Sequence, residues 1–281
     1  LAQVLHASID EGVSKVVVVA NGLAPEVLAR LNTFIARYNG VVEVVELEKN
    51  TGSSGGFSEG LKKFLDNKCF EYVWLLDDDN VPMPGTLDKL ISALNYIGDS
   101  TPLVALSSAR LDREDKLVFG SGRIKRYAVN NFAGFDLISA FISRLQRLMV
   151  DDISDINYPI VACKIAPYGG LFMTRQLVEK IGFPDREFFV YVDDHEYTSR
   201  IIDEGGVIYS CSQSVISDID SSYNKNKKVH PYFQDEVDEM RIYYDIRNHV
   251  FLSKKYKKGN FHYVLNGILF LLIALIRGLK R

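Results

Sequence analysis

The chain has 281 residues, 47% hydrophobic and 25% charged, an ordinary globular composition whose length suits one large α/β domain or one domain with an appendage. Cys69, Cys163 and Cys211 lie far apart with no CxxC spacing, which argues against a disulfide scaffold or a zinc site and for a reducing compartment. The net charge of −3 is uneven: residues 225–281 hold 12 Lys/Arg against 5 Asp/Glu, so an acidic body carries a basic tail. An anionic surface is the partner this tail suggests, and no nucleic-acid motif accompanies it.

No leader pattern opens the sequence. A short helical stretch follows Leu1, and a preceding segment with a further strand is expected. The β-branched run at 16–20 ends at Asn21-Gly22 and reads as a strand and turn. Pro25 then starts a helix with apolar positions Val27, Leu31, Phe34, Ile35 and Tyr38, and 41–47 is a second strand. Strand, helix and strand at this spacing predict a βαβ unit in a parallel sheet. The loop NTGSSGGFSEGL follows, with Gly52, Gly55 and Gly56 letting backbone approach a ligand and a helix expected from near Phe57. It fits neither GxGxxG nor the phosphate-loop pattern, and a flexible loop before a helix is the plain alternative.

Tyr72–Leu76 reads as a buried strand that delivers Asp77, Asp78 and Asp79 to its carboxyl end. Adjacent carboxylates repel and resist burial, so three at a strand end call for a cation; hard divalent ions suit them and keep positions open for phosphate oxygens. Strand ends are also where open α/β sheets bind ligands. A solvated acidic turn is the competing reading. Another amphipathic helix (Leu87, Leu90, Ile91, Leu94, Ile97) and a strand at 103–106 come next. The polar stretch that follows carries Arg123, Lys125 and Arg126, and 135–149 is amphipathic, a packing helix by its pattern.

At 168–200, Tyr168-Gly169-Gly170 precedes a short strand and a helix stopped at Gly182; then Phe188–Val192 leads into Asp193, Asp194 and Glu196 at the head of a helix running to Glu204. Capping explains one such acid, not three behind an aromatic run. A carboxylate against an apolar wall has its pKa raised and can serve as a general base.

Together VVVVANG, NTGSSGGFSEGL, YVWLLDDDNVP, the segment PYGGLFMTRQLVEKIGFPDREFFVYVDDHEYTSRI and YYDIRNHVF resemble the inverting glycosyltransferases of family 2, with the GT-A nucleotide-diphospho-sugar fold. The loop looks most like that of bacterial galactofuranosyltransferases, with rhamnosyltransferases next. The resemblance implies an α/β, Rossmann-like mixed sheet flanked by helices, in a catalytic domain over 1–230 with a helical tail over 231–281. It implies Mn2+ or Mg2+ on Asp77 and Asp79, with Asp218 or His230 completing the set where relatives often carry a His. Asp194 matches the catalytic base. Asp193, Glu196, Gly169 and Gly170 match acceptor-binding positions, and Asn21, Asn50, Thr51, Gly55, Gly56 and Asp78 fall to the donor. The implied reaction moves a hexose, galactofuranose from UDP foremost, to a glycan or polyprenyl-diphosphate-linked acceptor in polysaccharide synthesis. A dTDP-rhamnose donor and a non-catalytic glycan- or lipid-binding relative are the alternatives. A sugar-phosphate nucleotidyltransferase would want a glycine-rich, basic amino-terminal motif that this chain does not show.

The end of the chain pairs Lys254, Lys255, Lys257 and Lys258 with an uninterrupted apolar run at 268–276. Nine residues are too few to span a bilayer, which takes about 20. An interfacial helix on an anionic inner leaflet is expected, giving a cytoplasmic, peripheral location. A core or dimer helix would also fit.

Overall fold

A computed structural model describes residues 1–38, 40–98, 103–110, 118–119, 122, 130–136, 159–219, 238–257 and 259–278. The basic residues Arg123, Lys125 and Arg126, His230 and the amphipathic stretch at 137–149 lie outside them. The chain divides into two compact units: Leu1–Arg126, Ser154–Phe189 and Asp193–Asp220 form the first, and Tyr127–Ile153, Val190–Val192 and Ser221–Arg281 the second.

In the first unit, α1 (Ala2–Asp10) leads to β1 (Val16–Asn21), α2 (Pro25–Ile35) and β2 (Val42–Leu47), and β1 pairs β2 in parallel as the βαβ spacing predicts. Pro25 sits in the first turn of α2, where its missing N–H costs nothing. Helix α3 (Gly52–Asp66) then crosses to β3 (Tyr72–Leu75), which is followed by β4 (Asn80–Pro82), α4 (Thr86–Ile97) and β5 (Val104–Ala109). After β6 (Ile160–Cys163) come β7 (Leu171–Thr174), α5 (Arg175–Ile181), α6 (Asp193–Asp203) and the long β8 (Val207–Asp218). These strands form a mixed sheet in the order β3-β7-β5-β8-β4, with β6 also on β8, while β1 and β2 stand as a separate pair.

Every residue of β5 is buried, as expected of an inner strand covered on both faces. One face packs Leu106 and Phe172 against Leu90 of α4; the other packs Met173 and Leu171 against Leu61, Leu177 and Ile201 from α3, α5 and α6. Each such side chain stabilises the fold by roughly 1.5–3 kcal/mol. Strand β8 changes partners along its length. Ser108 of β5 pairs with Cys211 but Ala109 pairs with Val215, so Ser212, Gln213 and Ser214 are extra on β8; beyond them Asp218 pairs with Asn80 of β4.

Helix α3 starts at Gly52 rather than near Phe57. Gly52 and Gly55 lie inside the first turns, where neighbours leave no room for side chains. A Cβ on Gly52, which sits at φ +71°, would fall on the Phe189 carbonyl, and one on Gly55 would meet the Thr51 side chain. Packing has outweighed the poor helix propensity of Gly.

In the second unit, α7 (Glu239–Tyr256) is capped by Asp238, whose carboxylate accepts the Met240 N–H at 3.0 Å. Helix α8 (Asn260–Gly278) buries Asn266, Gly267 and Phe270. Phe270 stacks near Phe132 and Phe135, and Asn266 Nδ2 donates to the Asn130 carbonyl at 2.9 Å. The opposite side of α8 leaves Phe261, Val264, Ile268, Leu271, Leu272 and Leu275 exposed. Among the described residues no helix is long and apolar enough to cross a membrane.

Candidate active site

The acidic triplet sits where the sequence places it. Strand β3 ends at Leu75, and Asp77 to Asp79 form the turn into β4. Asn80, buried, ties this turn together: its Oδ1 accepts the Asp77 N–H at 3.1 Å, and its Nδ2 donates to Asp79 and to Asp218, each at 2.9 Å. Arg110, one residue beyond β5, reaches the same point. Its Nε donates to Asp218 Oδ1 at 3.1 Å, its Nη2 donates to Asn80 Oδ1 at 3.1 Å, and Nη2 stands 3.7 Å from Asp77 Oδ2. Gly169 is the floor under this cluster. A Cβ there would lie 1.9 Å from Asn80 Oδ1, 2.1 Å from Arg110 Nη2 and 2.7 Å from Asp77 Oδ2. Gly170, at φ +90°, joins the strands by donating its N–H to the Leu75 carbonyl at 2.8 Å.

The second acidic motif opens α6 in the same unit. Asp193 is buried, and its Oδ2 accepts from Ser53 Oγ at 2.7 Å at the start of α3. Asp194 is half-buried, with Oδ1 accepting the His195 N–H at 2.7 Å. Glu196 is held by Arg200 one turn on, in a bidentate pair, and Arg200 Nη1 also donates to the Phe183 carbonyl at 2.9 Å. Asn21 is a latch on the loop before α3: its Oδ1 accepts from Thr51 N and Oγ1 at 2.8 and 2.9 Å, and its Nδ2 donates to the Gly52 carbonyl at 2.8 Å. Asn50 Oδ1 accepts the Gly52 N–H at 2.8 Å. The first turn of α3 is thereby engaged by Asn50, by Asp193 and by the Phe189 carbonyl, which accepts the Ser54 N–H at 3.1 Å.

Although separated by about 115 residues, the two acidic motifs feel each other's charge. Burial, and then the charges of Asp79, Asp194 and Asp78 against the opposing pull of Arg110, raise Asp77 to about 6. Burial and then Asp194 raise Asp193 to about 7. Asp79 is raised too, by burial first and Asp218 next. Among the described residues Arg110 stands between Asp77, Asp79 and Asp218, and burial outweighs its pull on Asp77. Hard carboxylate oxygens gathered in this way fit a divalent ion completed by water and phosphate oxygens. Among the described residues no three His, Cys, Asp or Glu side chains already converge as a ready ligand set.

Sequence reading missed Arg110 and Asn80. Arg110 closes a fully buried strand, and a cation there must be paired; that was the available signal.

Residues 1–127 match the model of the family described as glycosyl transferase family 2. Among solved structures, GalNAc-T7 with UDP, GalNAc and Mn2+ aligns with a TM-score of 0.53 and 13% identity, over 76% of this chain and 40% of that one. The mannosyltransferase PcManGT from Pyrobaculum calidifontis, in complex with GDP-Man and Mn2+, aligns with a TM-score of 0.50 and 14% identity, over 98% of this chain and 76% of that one. The chain therefore spans less than half the length of GalNAc-T7. No curated protein matches the sequence. At these identities the likeness establishes the fold: a mixed α/β sheet of the GT-A glycosyltransferase type, with carboxyl-terminal helices.

Proposed function

We propose that the protein is a metal-dependent inverting glycosyltransferase that takes a hexose from a nucleoside diphosphate donor to a glycan acceptor. The observation that carries this reading is the Asp77–Asp79 turn beyond the carboxyl end of β3, near enough to Asp193 and Asp194 for their charges to act on one another. The family match over 1–127 and the nucleotide-sugar and Mn2+ complexes of the two neighbours support it.

Asp77 and Asp79 would hold Mn2+ or Mg2+, which when bound supplies charge neutralisation to the leaving diphosphate. Asp78, exposed at the tip of the turn, is free to face the donor. Asp194 takes the proton from the acceptor hydroxyl as that oxygen attacks the anomeric carbon from the face opposite the diphosphate. One displacement inverts the centre and needs one carboxylate base. Asp193 lines the acceptor side, anchored by Ser53, while Gly169 and Gly170 keep the floor low beside it. Glu196, through Arg200, steadies α6. Asn21, Asn50, Thr51, Gly55 and Gly56 shape the loop on the donor side.

Within this class, UDP-galactofuranose is the donor we favour, on the likeness of NTGSSGGFSEGL; dTDP-rhamnose is the alternative. The exposed apolar side of α8 and the absence of any Asp or Glu after Asp245 favour an anionic membrane surface as partner and a polyprenyl-diphosphate-linked glycan as acceptor. A peripheral place on the inner face of the cell membrane follows from that choice.

Calorimetric titration of UDP and of dTDP, with and without Mn2+, tests the reading. Metal-dependent binding of UDP is the expected result, and preference for dTDP moves the donor to rhamnose. Binding of neither nucleotide, by this chain or by one extended at its amino terminus and with the fold intact, would overturn the catalytic assignment.

A further inference from the structure

The stretch YYDIRNHVF lies within α7, and no residue of it has a role in the site built above. We propose that Asn248, near its middle, is a positioning residue for Asp194: it holds the backbone run 189–192, which leads into Asp193 and Asp194, in a left-handed course that the run's own side chains disfavour.

Among the described residues four that are not glycine have φ in the left-handed region. Three of them stand in this run, Phe189 at +61°, Tyr191 at +65° and Val192 at +64°. Phe189, with ψ −69°, has the torsions of the strained form of the γ-turn. Val192 is β-branched, and such a residue at positive φ is an outlier in any protein. Conformations of this kind persist only where the surroundings impose them.

The run is held from two sides. In the first unit, the Phe189 carbonyl accepts the Ser54 N–H and the Ser54 hydroxyl, each at 3.1 Å. In the second, Asn248 is 1% exposed, and its Nδ2 donates to the Val190 carbonyl at 2.9 Å and to the Tyr191 carbonyl at 2.8 Å. Arg247 Nε donates to Asn248 Oδ1 at 3.0 Å, which orients the amide with its two N–H groups toward those carbonyls. Two turns earlier on the same face of α7, the Arg241 guanidinium lies 5.3 Å from the centre of the Tyr191 ring. An amide nitrogen with two hydrogens suits two successive carbonyls; alanine offers no donor at all.

The torsions at Tyr191 and Val192 set the direction in which the chain enters α6. Return of either to the right-handed side turns the first residues of that helix by well over the roughly 0.5 Å within which a catalytic group must be held. Asn248 acts through this backbone and touches no reacting atom. The inference rests on the reading of Asp194 as base; the hold on the run does not.

The test compares the full chain with Asn248→Ala, alone and together with Val192→Gly. Amide hydrogen exchange of 52–56 and 190–195 is read by mass spectrometry. Turnover is read as release of UDP from UDP-galactofuranose or of dTDP from dTDP-rhamnose, and calorimetry gives the affinity for the same nucleotide with Mn2+. In Asn248→Ala the Ser54 amide should exchange about tenfold faster, because the Phe189 carbonyl is no longer kept on it. The kcat should fall about tenfold to a hundredfold with nucleotide affinity unchanged. Adding Val192→Gly should restore most of that kcat, since glycine enters the left-handed region without steric cost, whereas a general loss of packing at Asn248 gains nothing from it. If Asn248→Ala does not fold, the half-buried Arg241→Ala should move both readouts the same way by less. Unchanged exchange refutes the hold, and faster exchange with unchanged kcat refutes the positioning of Asp194. A loss of kcat that Val192→Gly leaves as it is also counts against it. Failure of the unaltered chain to turn over either donor sinks the transferase reading instead, and the exchange still decides whether Asn248 holds the run.

Discussion

Replacing Arg110 by Met probes the centre of the candidate site. The guanidinium and the Asp218 carboxylate are 9% and 4% exposed and lie 3.1 Å apart, so this is a buried pair rather than a surface one. Removing one member of a buried pair costs about 3–5 kcal/mol, because the other charge stays desolvated. The hydrogen bond to Asn80 goes as well, worth roughly 1 kcal/mol. We therefore expect Arg110→Met to lose about 4 kcal/mol in urea unfolding followed by Trp74 fluorescence. Asp218→Asn should lose less, since an amide still accepts from Arg110. The double variant removes charge and counter-charge together, so its loss should fall short of the sum by about 2 kcal/mol. Electron paramagnetic resonance of Mn2+ supplies the second readout. If Asp218 serves Arg110 and not the metal, Asp218→Asn keeps its Mn2+ affinity, and Arg110→Met binds Mn2+ at least as tightly because a repelling cation is gone. Strictly additive stability losses, together with abolished Mn2+ binding in Asp218→Asn, would refute this assignment and make Asp218 a metal ligand.

Other outcomes follow from the same geometry. Asp194→Asn should lower kcat by roughly 10²–10⁴-fold with little change in metal-dependent nucleotide binding; near-normal turnover removes Asp194 from the role of base. Burial and then Asp194 hold Asp193 near 7, above its unfolded value, so the folded state keeps this proton more tightly. In metal-free protein that contribution to stability is full below about pH 4 and is lost as pH rises through about 7, with a ceiling of about 4 kcal/mol. Asp193→Asn should flatten the slope, and an unchanged pH profile counts against the buried carboxyl. Leu272→Glu with Leu275→Glu should abolish co-sedimentation with anionic vesicles at unchanged melting temperature, whereas equal vesicle binding before and after excludes the exposed side of α8.

Local patterns carried most of the fold into the sequence. The β-branched runs at 16–20 and 41–47, the Gly182 stop and the apolar spacing of α4 appear where periodicity puts them, because each is decided by neighbours along the chain. Both acidic motifs were legible for the same reason: carboxylates behind an apolar run are unusual in any fold. What sequence could not supply were contacts made by strand pairing. Asp218 reaches Asn80 only because β8 pairs with β4, 138 residues away in sequence. Arg110 finds Asp77 only once β3, β7 and β5 lie side by side. Gly169, expected beside the acceptor, has a further need that only the folded sheet shows, to admit Asn80 and Arg110. The start of α3 was misplaced because propensity argues against glycines that packing requires.

The three additional residues of β8, Ser212 to Ser214, work as a spacer. Their side chains are of unequal consequence: Gln213 is exposed, while Ser214 is buried against Ser108 at 2.8 Å. Their number matters more than their chemistry. Adding or deleting one residue there would slip the strand past β4 and turn Asp218 to the other face of the sheet, away from Arg110 and Asn80. Over generations this stretch should accept new letters at Gln213 and reject every change in length, so that descendants of this chain differ there in spelling and never in spacing.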